Sequence, residues 1–182
     1  MKKNLFLLVA IAAISLIPFG ELNAKKVYTV QEMIEKAPEL VGKTVEIKGI
    51  AQHVCATTGK KLFLATADGK RTFRVNAGKD MGRFDRSIIK SVVVAKGVVT
   101  ENRTYMEDLD KQEAAVLAAE KAQKEPEHCN SEAKAQGESL TATPVQRVQA
   151  LKAKLQQQID KGGKNYMSFY TIDDCSEYKV SK

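Results

Sequence analysis

The chain has no tryptophan, only two histidines, three cysteines and four prolines among its 182 residues. Aromatic residues make up 6%, so a ligand site built on stacked rings would rest on few side chains. With His53 and His128 as the only imidazoles, a Ser/His/Asp arrangement has little to draw on, and neither His lies beside a nucleophile motif. No P-loop, GxSxG, HExxH or CxxC is present. The adjacent carboxylates Asp173 and Asp174 fall at an expected strand end. There, neighbouring side chains point to opposite faces, a poor geometry for paired acid and base work. These gaps point away from an enzyme. After the first 24 residues no apolar run approaches the ~20 residues of a spanning helix.

What is present is ordinary globular composition, 43% hydrophobic and 28% charged, with a basic excess of +7. That excess permits attraction to phosphates or anionic surfaces without requiring it. Residues 1–24 read as a cleavable export signal. Lys2 and Lys3 form the charged start, Leu5 to Ile17 the apolar run, and Leu22-Asn23-Ala24 a small-residue end. No Cys follows the apolar run to accept a lipid. The expectation is an exported protein, periplasmic or extracellular, with no transmembrane segment in the mature chain from residue 25 to 182. Such a compartment is oxidising and permits cysteines to pair.

The periodicities then organise one domain. Thr29-Val-Gln-Glu32 is a capping box that opens a short helix, with Pro38 helping to end it. Thr44 to Ala51 alternates, with Val45 and Ile47 on one face, and Gly49 inside it predicts a bulge or bend. Lys61 to Thr66 is a second strand, Ala67-Asp-Gly-Lys70 a tight turn, and Arg71 to Val75 a third strand with Phe73 and Val75 inward. Ser91 to Thr100 is a Val-rich fourth strand with Val93 and Ala95 inward. Glu107 to Lys124 is helical by propensity, with few large apolar residues. Glu125 to Ala142 is polar and reads as a loop. Thr143-Pro144 starts a second helix whose stripe is Val145, Val148, Leu151, Leu155 and Ile159, stopped by Gly162-Gly163. Tyr166 to Ile172 returns to strand character, and Tyr178 to Val180 is a further short strand.

The residues Val41-Gly-Lys-Thr-Val-Glu-Ile-Lys-Gly-Ile50, Lys61-Leu-Phe-Leu64 with Asp68-Gly69, and Ser91 to Val99 carry a resemblance. Their order resembles the OB-fold, and in particular the small exported OB-fold proteins of bacteria and the tRNA-anticodon-binding-like barrels. The resemblance implies a mainly β chain with α: a five-stranded Greek-key barrel plus an N-terminal helix and a C-terminal helical insertion. The barrel core would span about 43–100, the insertion about 107–163, and a late strand about 165–172. The segment 107–163 departs from the simple family pattern and leaves the fifth strand unassigned. The barrel hosts many ligands, so the likeness says little about function.

Two groups of residues carry candidate chemistry. Lys61, Phe63, Arg71 and Arg74, with Lys60, Lys70 and Lys79 beside them, lie on or next to the second and third strands. Barrels of this type that bind oligonucleotides use that face, with cations along the phosphates and Phe63 as a stacking platform. A solvated sheet face has the same alternation, and Phe63 fits a core position equally well. The second group is His53-Val-Cys55 and His128-Cys129, each His within two residues of a Cys. Imidazole and thiolate suit zinc or copper, so these four residues form a candidate Cys2His2 site. The competing reading is a structural disulfide, Cys129 with Cys175 or Cys55 with Cys129, tethering the insertion to the barrel. Free thiols are the third outcome.

The leading expectation is a non-catalytic binding module for a protein, a glycan or a small ligand, with no certain cofactor. The alternatives are a metal-binding or thiol-redox protein using the His/Cys pairs, and an oligonucleotide-binding protein. Nucleic acid is the least favoured partner, given the export signal and the scarcity of stacking residues.

Overall fold

A computed structural model describes residues 26–122 and 142–181. The expected export signal lies outside the described residues. So do His128, Cys129 and all but Ala142 of the expected polar loop. The elements are β1 (Val27–Thr29), α1 (Val30–Leu40), β2 (Thr44–Val54), β3 (Lys61–Ala65), β4 (Thr72–Ala77), a single 3-10 turn (Arg86–Ile88), β5 (Val92–Tyr105), α2 (Met106–Lys121), α3 (Pro144–Asp160) and β6 (Tyr166–Ser181). No helix among the described residues is long and apolar enough to cross a membrane.

Five strands close into a barrel. β2 pairs antiparallel with both β3 and β5, β3 with β4, and β5 with β6. The ring closes through β4 and β6, which run parallel with Val75 opposite Ile172. This order is compatible with an OB-like fold, and β6 supplies the fifth strand. It is one element from Tyr166 to Ser181, where the sequence divides into two shorter strands. β1 is an addition the sequence pattern does not reveal. It is three residues long and lies parallel to β2, with Tyr28 opposite Ile47.

The barrel interior is filled by side chains. Val45, Ile47, Phe73, Val75, Val93 and Ala95, the six expected inward positions, are all buried in one core with Leu62, Leu64 and Ile172. Burying each large aliphatic side chain contributes ~1.5–3 kcal/mol. α1 adds Val30, Met33, Ala37 and Leu40 to that core. It touches β2, β4, β5 and β6, and so lies across an end of the barrel. Its capping box forms as expected. Glu32 N–H donates to Thr29 Oγ1, and Thr29 N–H donates to Glu32 Oε2 at 2.9 Å. Pro38 sits inside the helix, which runs on to Leu40.

Two bends differ from the expected one. Gly49 lies in regular pairing, and the register of β2 slips between Ala51 and His53. That slip turns both Ala51 and Val54 inward and leaves His53 on the outer face. Gly49 instead permits close approach, since an added Cβ would lie 2.6 Å from Val30 Cγ2 and 3.0 Å from Ala65 O. The larger bend is in β6. Between its pairs Lys96–Glu177 and Val98–Asp173, β6 carries Asp174, Cys175 and Ser176 against Gly97 alone. Asp174 takes φ +49° there, an uncommon backbone for a non-glycine residue.

Beyond this bulge β5 and β6 run on as a two-stranded ribbon that pairs Glu101–Tyr105 with Tyr166–Tyr170. α2 and α3 form a helical hairpin at its end. Thr143 caps α3, receiving Gln146 N–H on Oγ1 at 3.2 Å. Leu109, Val148 and Leu155 form a second, small core, joined by Met106, Leu151, Ile159 and Met167 of β6. The α3 stripe therefore faces the other helix and the ribbon. Lys152 Nζ bridges Asp110 and Glu113 at 2.7 Å each.

Candidate functional site

The outer face of β2, β3 and β4 carries a row of expected site residues. His53 lies opposite Phe63, and Phe63 opposite Arg74; Lys61 lies opposite Asn76. His53 and Phe63 approach at 5.8 Å between ring centroids. Phe63 is 1% exposed and His53 9% exposed. A ring so covered offers no face to a stacking base. Lys61 and Arg74 are half-buried beside it, and Arg74 Nε has no hydrogen-bond partner. Arg71 is apart from this row. It sits before β4, and its guanidinium donates to Gln31 of α1 at 3.4 Å. Arg71 therefore stands outside the row that holds Lys61 and Arg74.

The cysteines divide between two environments. Cys175 sits in the β6 bulge and belongs to the barrel core. Burial pushes its thiol pKa up, partly offset by hydrogen bonds with the backbones of Lys96 and Glu177. Cys55, just past β2, is also buried; its N–H donates to Lys61 O at 2.9 Å, and its Sγ accepts from Thr58 Oγ1 at 3.4 Å. The two thiols are not bonded to each other. No cluster of three or more His, Cys, Asp or Glu side chains able to hold a metal occurs among the described residues. The other half of the Cys2His2 set, His128 and Cys129, lies outside them, as does the cysteine common to both expected disulfides.

At the rim beside Cys55 the chain builds a cleft that the sequence pattern does not single out. Gly59 turns the β2–β3 loop at φ +65°, and its N–H returns to Cys55 O at 2.9 Å. The segment 83–86 docks on that turn. Phe84 N–H donates to Gly59 O at 2.8 Å, and a Cβ on Gly59 would stand 3.2 Å from Arg83 Cβ. Positive φ and close approach both demand glycine at this position. Phe84 is buried and packs on Tyr178 of β6 at 5.5 Å. Tyr178 Oη in turn accepts from Asp85 N–H at 3.4 Å.

The result is a half-open cleft of about 410 Å³, lined by residues 55–59, 83–86 and Tyr178. Its one acid, Asp85, is turned to its own segment. It accepts from Ser87 N–H at 2.8 Å. That bond, with the Ser87 hydroxyl and the charge of Arg83, lowers its pKa below the usual carboxylate value. Arg83 and Arg86 are exposed on the cleft wall. The signals in the sequence are the glycines Gly59 and Gly82, both at positive φ, which bracket no motif on their own. No protein-family model matches the chain, and no curated protein matches it.

Proposed function

We propose that the protein is a non-catalytic binding module of the OB type, exported from the cytoplasm, and that it takes its ligand at the rim cleft. The reading rests on the cleft itself: about 410 Å³ of half-enclosed space with two guanidinium groups on its wall. The barrel interior is packed with side chains, whereas the cleft lies between loops at its rim. The export part rests on residues 1–24, with their paired lysines and apolar run. Chemical-shift mapping of the isotope-labelled protein against small anions, neutral sugars and short peptides tests the site. Resonances of residues 56–59 and 83–86 should move first. Shifts confined to other surfaces would overturn the cleft as the binding groove.

A second reading keeps the His/Cys pairs as a zinc or copper site. It draws on His53 and Cys55, both buried at the end of β2. Metal analysis of protein purified without a His-tag, with a thiol count on the denatured, unreduced chain, separates it from a disulfide. Three thiols with stoichiometric metal favour the metal site, and one thiol favours a disulfide. Oligonucleotide binding ranks last, because Phe63, its one stacking platform, is covered.

A further inference from the structure

We infer that the rim cleft is an oxyanion site and that its ligand is a small organic anion, with a carboxylate or phosphate held by Arg83 and Arg86. This rests on the reading of the cleft as the binding groove and names the chemistry of what enters it.

Three observations carry the inference. The first is the state of the two guanidinium groups. Both are exposed on the cleft wall, and Asp85 is the one acid in the lining beside them. A guanidinium is charged at any working pH and presents a planar fork of donors that matches two oxygens of a carboxylate or phosphate. The second is the position of Asp85. It lies between the two arginines in sequence. Its carboxylate accepts from Ser87 N–H at 2.8 Å, which holds it on its own segment. One carboxylate against two guanidinium groups leaves the cleft lining with a net positive charge.

The third is the size and remaining lining of the cleft. Thr57 adds a hydroxyl to the lining, while Ala56 and the Phe84–Tyr178 pair add apolar surface. Small-molecule sites usually run from ~300 to ~1,000 Å³ and combine apolar walls with a few polar groups. At about 410 Å³ the cleft exceeds what a bare inorganic ion would fill. It suits an anion that carries an organic body, the charged end on the arginines and the body against Ala56 and Tyr178.

The test titrates the labelled protein with four probes: phenyl phosphate, benzoate, inorganic phosphate and phenol. Phenyl phosphate or benzoate should move the resonances of residues 56–59 and 83–86 saturably, at least tenfold tighter than phenol and several-fold tighter than inorganic phosphate. Whichever of the two aromatic anions binds tighter identifies the headgroup. The double substitution Arg83→Gln with Arg86→Gln should weaken that binding at least tenfold. Both side chains are exposed, so resonances of the barrel strands should stay in place and show that the variant folds. Lys36→Gln, a change at an exposed lysine of α1 outside the cleft, should leave binding unaltered. Phenol binding as tightly as the anions, with the double variant unchanged, would overturn the oxyanion assignment and leave the groove standing. No movement of cleft resonances with any probe would overturn both.

Discussion

Asn76 on β4 donates its side-chain amide to Asp173 on β6 at 2.5 Å, joining residues 97 positions apart. The same carboxylate accepts from Thr171 Oγ1 at 3.1 Å, and Thr171 Oγ1 accepts from Asn102 of β5 at 3.1 Å. A polar chain therefore runs across β4, β6 and β5 where the parallel pair closes the barrel, and Thr171 within it is only 3% exposed. Removing the acceptor leaves donors unsatisfied in partly buried positions. Asp173→Ala should cost ~1–3 kcal/mol in urea unfolding. Asp173→Asn, which keeps an accepting oxygen, should cost less. Equal losses from the two variants would deny the network a role in closure.

Val93 is fully buried in the barrel core. Val93→Asp places an unpaired carboxylate there, at a cost of several kcal/mol, comparable with the whole stability of a domain. The variant should not fold. A soluble Val93→Asp protein with a cooperative unfolding transition would count against this core. Gly97→Ala probes the same inward face of β5, four residues on. Its Cβ would lie 2.5 Å from Ile172 Cγ2 and 2.6 Å from Asp173 O. Since a backbone oxygen cannot rotate away, the loss should reach or exceed the ~1–3 kcal/mol of ordinary overpacking.

Leu155 is fully buried, but in the small core of the helical hairpin and not in the barrel. Leu155→Ala should cost ~2–5 kcal/mol as a core truncation. Because the two cores are separate, hydrogen exchange should quicken in α2 and α3 well before it does in β2 to β4. Uniform quickening through the barrel would mean that the two cores melt as one.

The thiol of Cys175 has its pKa raised by burial. The unfolded chain releases this proton first, so the stability linked to it is full below the unfolded thiol pKa of ~8.5. It is lost as pH rises toward the folded value. Stability should therefore decline on the alkaline side, and Cys175→Ser or Cys175→Ala should flatten that decline. Alkylation of Cys175 at neutral pH should require the site to open, and so slow as stability rises, because only the thiolate reacts and the native site keeps it protonated and covered. Fast modification of the folded protein would show the site to be open.

The barrel was legible where alternation is strict. Val45 and Ile47, Phe73 and Val75, Val93 and Ala95 each mark one face of a strand, and the capping residues Thr29 and Thr143 set two helix starts. Three features were not legible. β1 is too short to show a period. The end of β5 from Glu101 to Tyr105 belongs to a ribbon with neither face fully buried, so it lacks the apolar alternation of its first half. β6 reads as two strands because its bulge breaks the alternation at Asp174. The site was harder still. His53 and Phe63 were visible as residue types, but their burial depends on tertiary packing. Arg83 and Arg86 gain meaning only when Gly59, distant in sequence, lets the two loops touch.

The parallel contact of Val75 with Ile172 also bears on how the barrel closes. Bringing those two residues together across an unstructured intervening chain would cost ~4 kcal/mol in loop-closure entropy. The α2–α3 hairpin lies within that span, and its own contacts join residues closer in sequence, such as Lys152 and Glu113, 39 apart. Once it forms, β5 and β6 start side by side at Tyr105 and Tyr166 and can zip toward the barrel one pair at a time. A hairpin that is already formed would present the closing strand to β4 in register, so a chain that loses the hairpin's core should refold its barrel more slowly even where the finished barrel is unchanged.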